Sequence, residues 1–212
     1  MGPKVLYLSR QKQGMAYKNT LRQSAGILSR GGVVVAPTDT VYGIMARADD
    51  IPAVRRIQRI KGRRRGKPMP VLVYSVKDVG RIAFISAYQM KFLKRVWPGP
   101  VTVILAARKR LPRYVIARNG SIGIRVPADA WMRDLLRVSG KFLVATSANR
   151  SGKAVGTTCS RIQKQLSVSG PQPDLYVDGG RIKRPASDIV DVRGTAPKLI
   201  RGSKKRINKY LQ

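Results

Sequence analysis

Short apolar runs alternate with amphipathic segments along most of the chain, and this alternation restricts the fold more than any other feature. The run VVVA at residues 33–36 suits a strand buried on both faces, whereas residues 18–29 place Leu21, Ala25 and Leu28 on one helical face. Strands that alternate with helices predict an α/β fold around a largely buried mixed sheet with helices on its faces. Further strands are predicted at residues 71–74, 101–106, 121–126, 142–145, 174–177, 189–192 and 198–201, and further helices at 52–60, 88–96, 129–138 and 158–166.

No internal repeat or low-complexity linker interrupts this pattern, so we expect a single domain over residues 18–203. Residues 1–17 would form an N-terminal segment with an edge strand near residues 5–8. Residues 204–212 are basic and read as a mobile, solvated tail. A chain of 212 residues can bury roughly 70% of its unfolded surface, which is enough for a core without disulfides.

The charge balance is extreme, because 43 Lys and Arg residues face 10 acidic residues and give a formal net charge of +33. Every acid is Asp, and the absence of Glu and His removes the two commonest general acid and base side chains. Chemistry on this chain would therefore rely on cations, hydroxyls and backbone groups. A field this positive attracts polyanions such as nucleic acid, with an affinity that falls as salt rises.

The cysteine content and the hydropathy indicate the compartment. The single cysteine, Cys159, has no partner within the chain, and no Cys or His cluster offers a zinc site. The sequence has no apolar run of the roughly 18 residues that a spanning helix needs, and no signal-peptide pattern. We therefore expect a cytoplasmic protein without a membrane partner.

A basic segment, KGRRRGKPM at residues 61–69, joins a predicted helix to a predicted strand. Taken alone, it fits a solvated charge run as well as a phosphate site. Three other strand-to-loop segments carry hydroxyls, amides or cations, at residues 38–42, 146–151 and 184–188. Each segment taken singly is explained by the hydrogen bonds that Ser, Thr, Asn and Asp make in ordinary turns. Ligands of open α/β sheets, however, bind in a crevice beyond the strand ends. The four segments together therefore indicate one ligand-binding crevice. Because neither a P-loop nor a dinucleotide-binding glycine motif occurs, bound phosphates would depend on side-chain cations.

A set of ordered motifs resembles the Sua5/YrdC/TsaC family in its short, single-domain form. The motifs are PTDTVYGI at residues 37–44, KGRRRGKPM at 61–69, WPGPVTVIL at 97–105, IGIRVP at 122–127, TSANRSG at 146–152, and ASDIVD with LIRGS within 186–203. The resemblance implies a YrdC/RibB-like twisted sheet with a large basic concave groove. It also implies synthesis of threonylcarbamoyl-AMP and pyrophosphate from L-threonine, bicarbonate or CO₂, and ATP.

The family's product serves t6A modification of adenosine 37 in tRNA, so the resemblance implies further partners. A transferase complex similar to TsaD, TsaB and TsaE would receive the unstable adenylate, and affinity for RNA or tRNA is expected. Mg²⁺ would be carried with ATP, because a chain whose only acids are Asp suits an ion held mostly by the nucleotide's phosphates, and no protein metal site is expected.

The resemblance also implies roles for individual residues. Lys61 and Arg63 would be the catalytic cations that stabilise the departing pyrophosphate, since joining a carbamate to an α-phosphate brings anions together. Arg125 would match the carboxylate of threonine through its planar fork. The proton acceptor is left open between water, Asp39 and the substrate. ATP would be bound by Arg63, Lys67, Ser121, Asn149, Thr157 and Arg201, and threonine by Thr40, Arg125, Ser147 and Ser187.

Some residues depart from the family pattern, and two other functions stay open. Arg64 and Arg65 replace a Pro-x pair, and Leu72 and Asp188 stand where long members carry His and Thr. The first alternative is an RNA-binding or ribosome-assembly factor that uses the basic groove without catalysis. The second is a carbamoyl-transfer relative, against which the missing zinc-finger and partner domains count.

Overall fold

The chain forms one mixed β-sheet with helices packed on both faces. The computed structural model describes residues 2–9, 14–63, 68–108, 111–112, 114–168 and 170–211, without the side chains of residues 209 and 211. None of the helices in these ranges is long and apolar enough to cross a membrane. The strands are β1 (Lys4–Tyr7), β2 (Val34–Ala36), β3 (Gly43–Arg47), β4 (Val71–Leu72), β5 (Ala83–Phe84), β6 (Val101–Ala107), β7 (Ser121–Arg125), β8 (Leu143–Ser147), β9 (Leu175–Asp178), β10 (Asp188–Asp191) and β11 (Lys198–Arg201). The helices are α1 (Met15–Ser29), α2 (Ile51–Lys61), α3 (Val76–Val79), α4 (Ala87–Val96), α5 (Ala130–Ser139), α6 (Cys159–Leu166) and α7 (Lys204–Leu211).

The strand order in the described sheet is β1-β9-β2-β3-β8-β4-β7-β6-β10-β11, with β5 paired to β6 at one side. Four neighbouring pairs are parallel: β1 with β9, β2 with β9, β4 with β7, and β6 with β10. The remaining pairs are antiparallel, including β2 with β3, β3 with β8, and β6 with β7. The prediction of a single-domain α/β fold with a mixed sheet is confirmed, and β1 is the edge strand predicted near residues 5–8.

The two faces of the sheet are covered by different helices. Around β2, Val33 and Val35 belong to a core cluster that also contains apolar residues of α2, α4 and α6. Val34 belongs to a second cluster, together with residues of α1 and α5 such as Leu28 and Trp131. Successive side chains of a strand point to opposite faces, so this division places the sheet between two helical layers.

Helix ends follow their sequence signals. The Asp50 carboxylate accepts from the backbone N–H of Ala53 at 2.9 Å and caps α2, which ends at Gly62 in the left-handed conformation with φ 59°. Asp129 caps α5 by accepting from the N–H of Met132 at 3.0 Å, as the sequence predicts. Helix α2 therefore ends at the start of the basic segment of residues 61–69.

One prediction of local structure was wrong, and one strand beside the cavity was not predicted. Residues 204–212 were expected to be a mobile basic tail, but α7 forms there and Ile207 is 3% exposed. Ile207 and Tyr210 are three residues apart, so they share one helical face and pack on the core cluster despite the surrounding cations. Strand β3 was not predicted, because its residues follow a loop rich in turn formers and pair antiparallel with β2 and β8.

Candidate active site

The loops at the strand ends surround a cavity of about 270 Å³. Its floor is formed by alternate residues of β6 and β7, because Thr102 and Ile104 on β6 and Ser121, Gly123 and Arg125 on β7 point to the same side. The described lining residues include three arginines and no aspartate, so the cavity is electropositive. The predicted site residues on its wall are Thr40, Arg63, Ser121, Arg125, Ser147, Ser187 and Arg201.

Arg125 is buried at 6% exposure, and three groups orient its guanidinium. Nε donates to the carbonyl of Gly99 at 3.0 Å, and Nη1 donates to the hydroxyl of Thr40 at 3.0 Å. Nη2 lies 2.6 Å from Oδ1 of Asp39, an ion pair whose alignment falls short of hydrogen-bond geometry. Both side chains of this pair are under a tenth exposed. The guanidinium has five N–H donors, and Nη1 keeps one N–H for an anion in the cavity, whereas Nη2 is buried without exposed surface.

The hydroxyl of Thr40 belongs to a directed hydrogen-bond chain. Thr38 Oγ1 donates to the carbonyl of Val41 at 2.7 Å, and the two threonine hydroxyls are 3.0 Å apart. Thr38 has used its hydrogen on Val41, so Thr40 must donate to Thr38 while it accepts from Arg125. Thr40 therefore presents only its remaining lone pair to a ligand, which suits a hydrogen-bond donor.

Lys61 is not among the described residues that line the cavity. Its side chain is 2% exposed, and Nζ donates to the carbonyl oxygen of Ser147, to the carbonyl oxygen of Asn149 at 2.7 Å and to Asn149 Oδ1 at 3.1 Å. Burial, and then the charge of Arg63, lower the pKa of Lys61 to about 7. The ammonium has three donors and meets three acceptors, so Lys61 holds the loop after β8 in place.

Asn149 is engaged on both sides of its amide. Oδ1 accepts from Lys61 and, at 2.6 Å, from the hydroxyl of Ser147. Nδ2 donates to the carbonyl of Arg150 at 3.0 Å and to that of Lys153 at 2.5 Å. Asn149 does not line the cavity within the described residues, so its predicted contact with ATP stays a prediction. In the structure, the hydrogen bonds of the Asn149 amide hold the loop after β8 in place, as those of Lys61 do.

The other predicted ATP residues differ in their placement. Arg63 follows the end of α2 and lines the cavity, while its Nη2 donates to the carbonyl of Pro68 at 3.1 Å. Burial lowers the pKa of Arg63, yet a guanidinium still carries its charge at neutral pH. Thr157 is not on the described wall, and its hydroxyl is buried without a hydrogen-bond partner among the described residues. Lys67 lies outside the described residues.

Sequence reasoning missed several residues that shape the cavity. Thr102 lies with its hydroxyl 3.1 Å from that of Ser187. A methyl group at Gly123 would meet Thr102 Cγ2 at 3.4 Å, so the glycine keeps the floor between Ser121 and Arg125 open. The period-two alternation of β6 and β7 is the signal that could have found Thr102 and Gly123, since both share a strand face with other lining residues, Ile104 on β6 and Ser121 and Arg125 on β7.

Among the described residues, no group of three or more His, Cys or Asp side chains could hold a metal ion. Hard cations such as Mg²⁺ bind oxygen ligands and favour carboxylates. The lining residues provide hydroxyls and carbonyls but no carboxylate, so they do not fit a protein-held Mg²⁺.

An α/β domain with an arginine-lined cavity above the strands β6 and β7 has the charge and shape that suit small anionic ligands. Residues 26–203 match the family profile described as "Telomere recombination", which covers Sua5, YciO and YrdC. The chain belongs to this family.

Relatives and solved structures agree with this assignment. The chain is 34% identical to the human "Threonylcarbamoyl-AMP synthase" over 166 residues, which cover 78% of this chain and 58% of that protein. It is 31% identical over 168 residues to the protein of the same name from Thiobacillus denitrificans, covering 78% of this chain and 87% of the relative. The chain thus spans little more than half of the human relative.

Among solved structures, Pyrococcus abyssi Sua5 complexed with L-threonine is 27% identical, with a TM-score of 0.87 over 100% of this chain and 61% of that one. Escherichia coli YciO is 24% identical, with a TM-score of 0.83 over 94% of this chain and 95% of that one. At this identity the likeness to YciO shows the fold alone.

Proposed function

We propose that the protein is a threonylcarbamoyl-AMP synthase that converts L-threonine, bicarbonate or CO₂, and ATP into threonylcarbamoyl-AMP and pyrophosphate. The observation that carries this proposal is a cavity whose described lining residues include three arginines and several hydroxyls but no carboxylate. The names of the relatives and the threonine complex of P. abyssi Sua5 support the choice of substrates. A cavity of this charge suits a reaction that joins the carbamate anion of threonine to the phosphates of ATP.

Arg125 would bind the carboxylate of threonine through the N–H group of Nη1 that its contact with Thr40 leaves available. Ser147 and Ser187 would hold the remaining polar groups of the amino acid. Arg63, Arg201 and Ser121 would contact ATP. Thr40 would hold threonine as well, and together these are the residues implied by the resemblance for which a place on the cavity wall supports direct contact.

The reaction would proceed in two steps. The ammonium of zwitterionic threonine first releases one proton, and the neutral amine then attacks CO₂ and forms a carbamate with loss of a second proton. A carbamate oxygen then attacks the α-phosphorus, and the bond from that phosphorus to the bridging oxygen breaks to release pyrophosphate. Arg63 would stabilise the charge on the leaving group, whereas Lys61 would act through the loop that it holds.

Water is the proton acceptor that we favour. Asp39 is paired with Arg125 and its carboxylate oxygens are buried, so it is poorly placed to receive a proton from the cavity. Mg²⁺ would be held by the phosphates of ATP and by water, because the described wall offers it no carboxylate.

We further propose that the product serves t6A modification of tRNA through a TsaD/TsaB/TsaE-like transferase complex in the cytoplasm. The test of the whole proposal is release of pyrophosphate from ATP by the purified protein. We expect release that requires both threonine and bicarbonate, together with a product of the mass of threonylcarbamoyl-AMP. Release that continues without threonine, or no release at all, would refute the proposal.

RNA affinity is a second proposal, and the placement of the aspartates favours it. Ten acids cannot neutralise 43 cations, and every aspartate already contacts a partner within the chain. The surplus positive charge therefore has to be balanced by ions or by an anionic partner. The acids are engaged at Asp39, Asp49, Asp50, Asp78, Asp129, Asp134, Asp174, Asp178, Asp188 and Asp191.

Binding of tRNA at increasing salt tests the second proposal. We expect the logarithm of the binding constant to fall linearly with the logarithm of the salt concentration, with a slope set by the number of phosphates contacted. RNA binding without threonine-dependent pyrophosphate release would favour the RNA-binding factor over the enzyme. Binding that is absent at low salt would refute RNA affinity and leave the enzymatic proposal intact.

A further inference from the structure

The C-terminal helix α7 is fixed to the strand beside the cavity. Asp188 is the first residue of β10 and is 1% exposed. Its Oδ2 accepts from Arg206 Nε at 2.9 Å, and its Oδ1 accepts from Arg206 Nη2 at 2.5 Å. Oδ1 also accepts from the backbone N–H of Ser203 at 3.0 Å. Two parallel bonds between a guanidinium and a carboxylate fix geometry as well as charge, so the pair holds the start of α7 against β10.

Asp188 also supplies a negative charge at the start of α7, whose first turn has no acidic residue. The first turn of α7 carries Lys204, Lys205 and Arg206, and cations are unfavourable at the positive end of a helix dipole. A carboxylate at this end has the opposite, stabilising effect. Burial would raise the pKa of Asp188, but the hydrogen bonds from Arg206 and Ser203 outweigh it and lower the pKa below its ordinary value. The carboxylate is therefore charged where the helix needs a negative charge.

The turn that leads into α7 is built around the same carboxylate. Gly202 has φ +126°, a conformation that residues with a side chain rarely adopt. A Cβ atom at this position would lie 1.8 Å from Oδ1 of Asp188, which is a severe clash. The backbone thus passes directly over Asp188 between β11 and α7, and only glycine allows that approach.

The groups that flank Asp188 in space line the cavity. Ser187 precedes it in the chain, and Arg201 at the end of β11 donates through Nη2 to the carbonyl of Ser187 at 2.8 Å. Asp188 is not among the lining residues. On its far side α7 packs against α4, with Ile207 in the core and Arg95 Nη1 3.5 Å from the carbonyl of Tyr210. The cavity residues Ser187 and Arg201 are therefore direct neighbours of the contacts that hold α7 to the sheet.

We propose that the Asp188–Arg206 pair is a positioning device that sets Ser187 and Arg201 on the cavity wall by holding α7 against the start of β10. This inference rests on the proposed function, in which Ser187 binds threonine and Arg201 binds ATP. Asp188 and Arg206 act through these neighbours and do not touch substrate. It makes α7 a component of the active site, although no residue of the helix lines the described cavity.

Three variants of the full chain test the proposal. Arg206→Ala removes the pair, Arg206→Lys keeps the charge but loses the two-nitrogen contact, and Arg193→Ala is the matched control. Arg193 pairs with Asp191 at the other end of the same strand, at 2.7 Å, and does not line the cavity. We expect Arg206→Ala to raise the KM for ATP and for threonine about tenfold, Arg206→Lys to lie between it and the parent, and Arg193→Ala to change neither KM by more than about twofold.

Amide hydrogen exchange gives a readout that does not depend on activity. We expect faster exchange at residues 186–189 and 198–203 in Arg206→Ala, with unchanged protection in β8. If Arg206→Ala and Arg193→Ala share the same KM values, the proposal is overturned even if the melting temperature of Arg206→Ala falls. If the parent protein shows no threonine-dependent pyrophosphate release, the proposed function fails, and exchange alone decides whether the pair positions the segment. Unchanged exchange would then overturn the positioning role.

Discussion

Replacing Lys61 with glutamine should change how the stability of the protein depends on pH. The Lys61 ammonium is 2% exposed and donates to the carbonyl oxygens of Ser147 and Asn149 and to Asn149 Oδ1. Burial, followed by the nearby charge of Arg63, lowers its pKa from 10.5 to about 7. The three oxygens act in the opposite direction, because they favour the charged form. The variant separates these effects, since glutamine keeps an N–H donor but does not titrate.

The direction in which the free energy of unfolding changes with pH follows from the number of protons that Lys61 binds in the folded and unfolded states. Between pH 7 and pH 10.5 the unfolded parent holds more protons at Lys61 than the folded parent, so the free energy of unfolding rises with pH in this window. The corresponding stability is fully present above the unfolded pKa and is lost as the pH falls through the folded pKa. From pH 7 to pH 9 the parent should gain about 2 kcal/mol relative to Lys61→Gln, because each unit of pKa difference corresponds to about 1.4 kcal/mol.

Urea unfolding of both proteins at pH 7, 8 and 9 measures this difference, and titrations common to both cancel in the subtraction. Lys94→Gln removes an exposed cation from α4 and controls for the loss of one positive charge. Its stability relative to the parent should change little over the same range. A parent-minus-variant difference for Lys61→Gln that stays flat would refute the reasoning. It would mean that the three oxygen acceptors keep the ammonium charged in the folded state.

Three further substitutions test the cavity and one helix. Arg125→Lys keeps the charge but loses the planar fork, so the KM for threonine in a pyrophosphate-release assay should rise about tenfold while that for ATP stays within about twofold. Asp39→Ala leaves a buried guanidinium without its ion-pair partner, and urea unfolding should show a loss of about 3–5 kcal/mol; a loss below about 1 kcal/mol would contradict the pairing. Asp129→Ala removes the cap of α5 and should lower the free energy of unfolding by about 1 kcal/mol, with both KM values unchanged.

The sequence predicted those features whose signals are local. Apolar periodicity located most strands and helices, and the Asp129 cap was read from residue type and position alone. Strand β3 was missed because its pairing with β2 and β8 is a long-range property that no short window contains. Helix α7 was missed because its basic composition outweighed the spacing of Ile207 and Tyr210, which becomes informative only once α4 is in place.

In the candidate site, too, the sequence did not predict features that depend on long-range contacts, here those of single side chains. The motifs identified residues that gather around one cavity, but they could not distinguish a side chain that lines the cavity from one that is buried outside its lining. Carbonyl oxygens of the loop after β8 surround the ammonium of Lys61, and its predicted contact with the phosphates stays a prediction. Backbone acceptors belong to every residue type, so their positions cannot be read from the sequence. Asn149 turns inward for the same reason.

The scarcity of acids explains how the cavity keeps its charge. Asp39 lies behind Arg125, and Asp188 lies behind the segment that carries Ser187 and Arg201, so each carboxylate orients the cavity wall without lining it. A carboxylate on the wall would repel a carbamate or a phosphate, whereas one behind the wall fixes an arginine or a helix and leaves the surface positive. The cavity therefore depends on where the aspartates are placed as much as on how many cations surround it. Moving one carboxylate forward, as in Gly123→Asp on the cavity floor, should weaken ATP binding more than removal of any one cation from the outer surface.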